Sequence, residues 1–332
     1  MSAGLALPQR ASWPAGRLSA LRAGPMPGRM HGPTVRRLPR LREALLAGAF
    51  TVAVGTAQAA VDLGKLWDFA DPALSEQRFR AALAGAQGDD AIVLQTQIAR
   101  TLGLRRNLAG AKDLLRSLEP QLAGAGAEAR ARHALEWGRN HISAVTKPEE
   151  RTPENLATAR AAYERALAVA REGRLDELAI DAVHMMAFID TAPAEQLKWN
   201  EQALAMVLAS TQPGGRGWEA SIRNNLAYSL HQLGRHAEAL PHYERALALR
   251  EAAGARPRAL YVARWLVARE LRLNGRLDEA LALQTQLEGQ MHVVGDPDPY
   301  VLEELERIHR ARGDEAKAAQ YAKRLASARR PS

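Results

Sequence analysis

Apolar positions in residues 61–332 recur three and four apart, and nowhere alternate over a strand-length run bounded by turn residues, so the pattern predicts helices and no sheet. The pattern is clearest from Trp218 to Ala252. There Leu226, Leu230 and Tyr243 are large, Ala227, Ala239 and Ala246 are small, and Gly234 separates two helical stretches. Large residues at these places fill the interface between two antiparallel helices, and the small ones let the helices approach. Gly234 supplies the backbone freedom that ends the first helix and turns the chain into the second. Pro241 falls inside the second stretch, but its missing N–H would face the carbonyl of Ala237 in the first turn. The cost there is small, which supports a helix start near His236.

The same spacing returns along the chain. Leu273–Ala280 repeats the turn with Gly275 and Ala280, although Gln284 stands where an aromatic is expected and Leu287 replaces a small residue. Gly313–Ala318 gives another turn, followed by Tyr321 and Leu325. Upstream, Ile98, Ala99, Leu102, Ala111, Leu115 and Leu118 fit one unit. Ala159, Tyr163 and Ala166 fit the second helix of another, whose first helix is expected around 131–145. Residues 180–188 and 195–207 supply a further pair. Equivalent positions fall at 111, 159, 196, 239, 280 and 318, and the uneven extra length lies in connections such as 212–217 and 254–257. Insertions at connections leave stacking intact, so one solenoid is expected.

Trp218–Ala252 resembles the tetratricopeptide repeat (TPR) over its whole 34-residue frame, with Leu226, Ala227, Leu230, Gly234, Ala239, Tyr243 and Ala246 at frame positions 7, 8, 11, 15, 20, 24 and 27. The resemblance implies an all-α, right-handed α-solenoid of about six helix hairpins, near 92–125, 129–170, 177–210, 220–253, 261–294 and 299–329. A cap helix over 71–86 precedes them, for about thirteen helices in total.

Composition alters the picture mainly at the N-terminus. The net charge of +8 invites a nucleic-acid reading, but residues 1–60 hold eight Arg against Glu43 alone. Residues 61–332 then carry 37 basic and 36 acidic groups, too balanced for a backbone-neutralising surface, so no nucleic-acid partner is expected. Arg36, Arg37, Arg40 and Arg42 precede the apolar run Ala44–Val54 and the small-x-small triplet Ala57-Gln58-Ala59. That order reads as a signal peptide over 36–60, cleaved beside Ala59 and Ala60, with only transient membrane contact and a periplasmic or secreted product of bacterial exported type. Residues 1–35 read as a disordered basic leader, with Met30 a candidate start. A cytoplasmic chain with a merely disordered N-terminus is the alternative. With no Cys, thiolate metal sites and Cys nucleophiles are excluded.

No catalytic residue, cofactor or metal site is expected. Gly214-Gly215-Arg216-Gly217 lacks the strand and the Lys-Ser/Thr of a phosphate loop, and neither a G-x-S-x-G elbow nor an H-E-x-x-H run occurs. His231, His236 and His242 are spaced five and six apart, unlike helical metal ligands, and are expected to face solvent. Pairs such as Glu303-Glu304 are expected to be helix N-terminal or solvated charges, and Asp296–Pro299 a turn before a helix. The TPR resemblance instead implies a binding groove lined by the first helix of each repeat. By frame position those residues are Arg100, Asn224, Tyr228, His231, Trp265, Arg269, Arg272, Arg307 and Arg310, with Met185 and Phe188. Asn225 matches the Asn of the chaperone-type carboxylate clamp, but Val262 and Trp265 stand where that clamp needs its other residues. The expectation is a non-enzymatic module that binds a peptide or protein partner. The alternatives are an accessory subunit of a cell-envelope enzyme or assembly, and a cytosolic regulatory module.

Overall fold

The computed structural model describes residues 61–329; the expected leader, signal peptide and cleavage at Ala59 and Ala60 lie outside them. Among the described residues are thirteen helices of eleven residues or more. They are α1 (Pro72–Leu83), α2 (Gly88–Leu104), α3 (Leu108–Leu118), α4 (Ala127–Arg139), α5 (Pro153–Glu172), α6 (Asp176–Met186), α7 (Pro193–Ala209), α8 (Glu219–Gln232), α9 (His236–Ala252), α10 (Pro257–Leu273), α11 (Leu277–Glu288), α12 (Pro299–Ala311) and α13 (Glu315–Ala328). Each packs on its successor or on the next hairpin, giving an all-α solenoid with α1 at its N-terminal end. No helix among the described residues is long and apolar enough to cross a membrane.

Local chemistry sets the boundaries. Prolines open α1, α5, α7, α10 and α12, where a missing N–H costs nothing, and the Asp71, Asn107, Thr152 and Asp314 side chains accept free amides of first turns. Asp298 caps α12 by accepting from the Tyr300 amide and also accepts the Tyr261 hydroxyl at 3.0 Å. Between helices of a hairpin the chain turns at Gly234 and Gly275, with φ of 71° and 75°. In the first hairpin that left-handed site is taken by Arg106, φ 67°, whose guanidinium pairs with Glu150 and donates to the Val145 carbonyl.

Small residues let the helices close. Ala159, Ala166, Ala239, Ala246, Ala280 and Ala318 are all fully buried. At Gly138 the approach is closer still, since a Cβ there would lie 2.5 Å from the Tyr163 ring. That contact explains one departure from expectation. The first helix of the second hairpin ends at Arg139 and not near Val145. Asn140 folds its amide back onto the Glu136 carbonyl, and the Tyr163 hydroxyl takes the carbonyl of Ile142, which is thereby lost to a longer helix.

Gln284, at the site expected to hold an aromatic, is fully buried, and neither atom of its amide has a protein partner. A buried amide without a partner costs about 1–3 kcal/mol. Gln284→Leu, which keeps volume and removes that cost, should raise stability by roughly 1–2 kcal/mol. Urea unfolding of the two proteins measures it, and a lower midpoint for the variant would contradict the account.

Candidate functional site

The first helices of the hairpins (α2, α4, α6, α8, α10 and α12) are tied to one another by polar side chains. Arg100 of α2 reaches Glu136 of α4 at 3.5 Å, and Arg139 of α4 pairs with both Glu136 and Asp181 of α6. His184 of α6 meets Asn225 of α8 at 3.3 Å. His231 of α8 lies 2.7 Å from Glu270 of α10, and Arg272 of α10 grips Glu304 of α12 with two bonds of 2.7 and 3.1 Å. Five consecutive helix pairs thus each carry a polar contact.

Two cavities open along these helices. The larger, about 390 Å³, runs from α2 to α8. Its walls include Phe69, Arg100, Met185, Phe188, Trp218 and Tyr228, with Asn200 and Arg250 contributed by the second helices α7 and α9. At its N-terminal end Phe69 and Pro72 line it. The smaller cavity, about 320 Å³, is lined by His231, His236, Trp265, Arg269, Arg272, Tyr300 and Arg307, among others.

The residues expected in one groove therefore divide. Arg100, Asn224 and Tyr228 line the first cavity with Met185, Phe188 and Asn225. His231, Trp265, Arg269, Arg272 and Arg307 line the second. Arg310 lines neither and pairs with Glu306 on the exposed side of α12. The arginines are engaged internally: Arg269 with Glu270 at 3.0 Å, Arg272 with Glu304, and Arg307 with Glu303 and Glu304. The solvated Glu303-Glu304 pair needs correcting too, because Glu304 is buried between two guanidinium groups.

The histidines correct another expectation. His231 and His236 are only partly exposed and converge on Glu270, a wholly buried carboxylate, with Nδ1–O distances of 2.7 and 2.9 Å. His242 is apart from them, beside Arg223 at 3.2 Å. Two His and one Glu are a possible ligand set for a cation, and this is such a group among the described residues. Both Glu270 oxygens are already taken, however, one by His231 and Arg269 and the other by His236, so the trio reads as charge neutralisation. Burial alone would push the Glu270 carboxyl up; the bonds from His231 and His236 and the Arg269 charge outweigh burial and hold it below its ordinary value.

Residues missed from the sequence are Glu136, Arg139, Asp181, Asn200, Arg250 and Glu270. Five of them, Glu136, Arg139, Asp181, Asn200 and Arg250, line the larger cavity. One signal was available: Ala239, Tyr243, Ala246 and Arg250 form a single apolar stripe on α9, in which a charge is out of place.

The tetratricopeptide-repeat family model matches residues 218–288, spanning α8 to α11. The chain carries tetratricopeptide repeats. A STAND-class signal-transduction ATPase with a tetratricopeptide-repeat sensor, from Pyrococcus horikoshii, superposes with a TM-score of 0.57 at 12% identity over 76% of this chain. The chain spans only 39% of that protein's length. PilF of Pseudomonas aeruginosa is 20% identical, with a TM-score of 0.49 over 74% of this chain and 96% of its own. Aspartyl phosphate phosphatase F from Bacillus subtilis is 14% identical, with a TM-score of 0.47 over 79% of this chain and 76% of its own. These identities speak to fold alone. No curated protein matches the sequence.

Removing the Glu270 charge leaves Arg269, His231 and His236 facing an uncharged amide. Glu270→Gln should cost about 3 kcal/mol at neutral pH. Because the folded carboxyl sits below its ordinary 4.5, that contribution is full above 4.5 and is lost as pH falls through the lower folded value. Unfolding curves at several pH values should show the gap between the two proteins narrowing below pH 4.5. A gap independent of pH would exclude the charge as its cause.

Proposed function

We propose that this TPR solenoid holds an extended segment of a partner protein in the larger cavity of its concave face and catalyses no reaction of its own. One observation carries the reading. The larger cavity is walled by large apolar and aromatic side chains interleaved with the hydrogen-bonding amides of Asn140, Asn200, Asn224 and Asn225, the mixture that the side chains and backbone groups of an extended peptide require. Met185, Phe188, Trp218 and Tyr228 add apolar and aromatic surface for its side chains. The cavity follows four successive first helices, a length suited to a strand-like segment.

We infer further that the protein is exported, the Arg-rich stretch, the apolar run 44–54 and Ala57-Gln58-Ala59 supporting a cleaved signal. Within the envelope the bound segment would belong to another envelope protein, as in the accessory-subunit reading.

Peptides selected from a displayed random library on the full chain provide ligands for the test. Phe188→Ala and Tyr228→Ala should each weaken them about tenfold, roughly 1.4 kcal/mol, in calorimetric titrations. Unchanged affinity in both variants, or no selectable peptide, would remove the cavity from the reading. For export, sequencing the N-terminus of protein recovered from its native cell should give Ala60 or Val61; a mature start upstream of the apolar run would defeat it.

A further inference from the structure

The charges lining the larger cavity do not cancel. Its cations are Arg100, Arg139 and Arg250, and its carboxylates are Glu136 and Asp181. Both carboxylates are taken: Glu136 by Arg100 and Arg139, and Asp181 by Arg139. Arg250 remains. It is 4% exposed, and among the described residues its hydrogen bond is one from Nη1 to the Asn224 Oδ1 at 3.3 Å, with no carboxylate in reach. A guanidinium carries five N–H donors in a planar fork, and burial without a counter-charge is costly. Burial lowers its pKa to about 10, opposed only by the Tyr243 phenol and by no carboxylate. Every other arginine of the two cavities has a carboxylate partner.

We propose that Arg250 is the counter-charge site of the groove and binds a carboxylate of the held segment, either an Asp or Glu side chain or a free C-terminus. The inference rests on the peptide-binding reading and deepens it. Arg250 of the second helix α9 bonds Asn224 of α8, and both line the cavity with Asn200, Trp218 and Tyr228, so a carboxylate held in the cavity lies beside the guanidinium. The resulting bond is charge-assisted and shielded from water, the setting in which a guanidinium–carboxylate pair is strongest. Asn224, expected to present itself to a partner, serves here to orient the guanidinium.

The test uses peptides selected on the full chain and synthesised in matched forms. In one arm each Asp or Glu becomes Asn or Gln; in the other the free C-terminus becomes an amide. One arm should weaken binding to the unaltered protein about tenfold or more and so identify which carboxylate is read. Against Arg250→Gln, which retains a donor for Asn224, acid and amide forms should bind within about twofold of each other, and Arg250→Lys should restore part of the preference. Peptides that bind tightly but show no acid preference in either arm overturn this assignment and leave the groove intact. An acid preference that persists in Arg250→Gln overturns it as well. If no peptide binds, the groove reading falls and takes this one with it. If Arg250→Gln does not fold, Arg250→Lys carries the comparison, and an acid preference undiminished in it overturns the assignment.

Discussion

Close approach between paired helices is the constraint from which the rest of this molecule follows. A single amphipathic helix pair cannot bury its apolar side alone, and a stack of pairs buries it only if the backbones come near enough for contact across the whole face. Alanine makes that possible at the fully buried positions 159, 166, 239, 246, 280 and 318, and Gly138 goes further by leaving room for the Tyr163 ring. Tyr163, Tyr243 and Tyr261 then fill the space between pairs as the largest fully buried side chains. Close packing leaves little freedom, which is why an amide such as that of Gln284 can be trapped without a partner.

On the concave side a different logic governs. Each first helix meets the next through a polar contact, from Arg100–Glu136 to Arg272–Glu304. Greasy contacts between helices are tolerant of sliding and rotation, whereas a two-bond grip such as that of Arg272 on Glu304 is directional. The polar series therefore biases the angle between successive hairpins, and with it the shape of the larger cavity. The same contacts consume most of the charge that the groove residues would otherwise present.

What remains after that internal pairing is informative. A guanidinium at Arg250 and two amide oxygens, at Asn140 and Asn200, are buried beside one cavity without full satisfaction. Under the proposed function, the carboxylate of the held segment completes the Arg250 guanidinium. The Glu270 cluster shows the contrast: a buried carboxylate surrounded by His231, His236 and Arg269 is complete without help from outside.

The sequence by itself determined the helices, their pairing and their order, because apolar spacing, proline at helix starts and small residues at contacts are local signals, and these were legible from residue 71 to the C-terminal hairpin. It also pointed to the first helices as the concave surface, and Arg100, Asn224, Tyr228 and Trp265 do line cavities there. Only the tertiary structure decided which charges are spent and which are spare. Arg272 was placed in the groove from its frame position, but its partner Glu304 lies 32 residues on, and whether the two meet depends on the angle between hairpins. That angle is a property of the stack, summed from many side-chain contacts, and no single repeat encodes it.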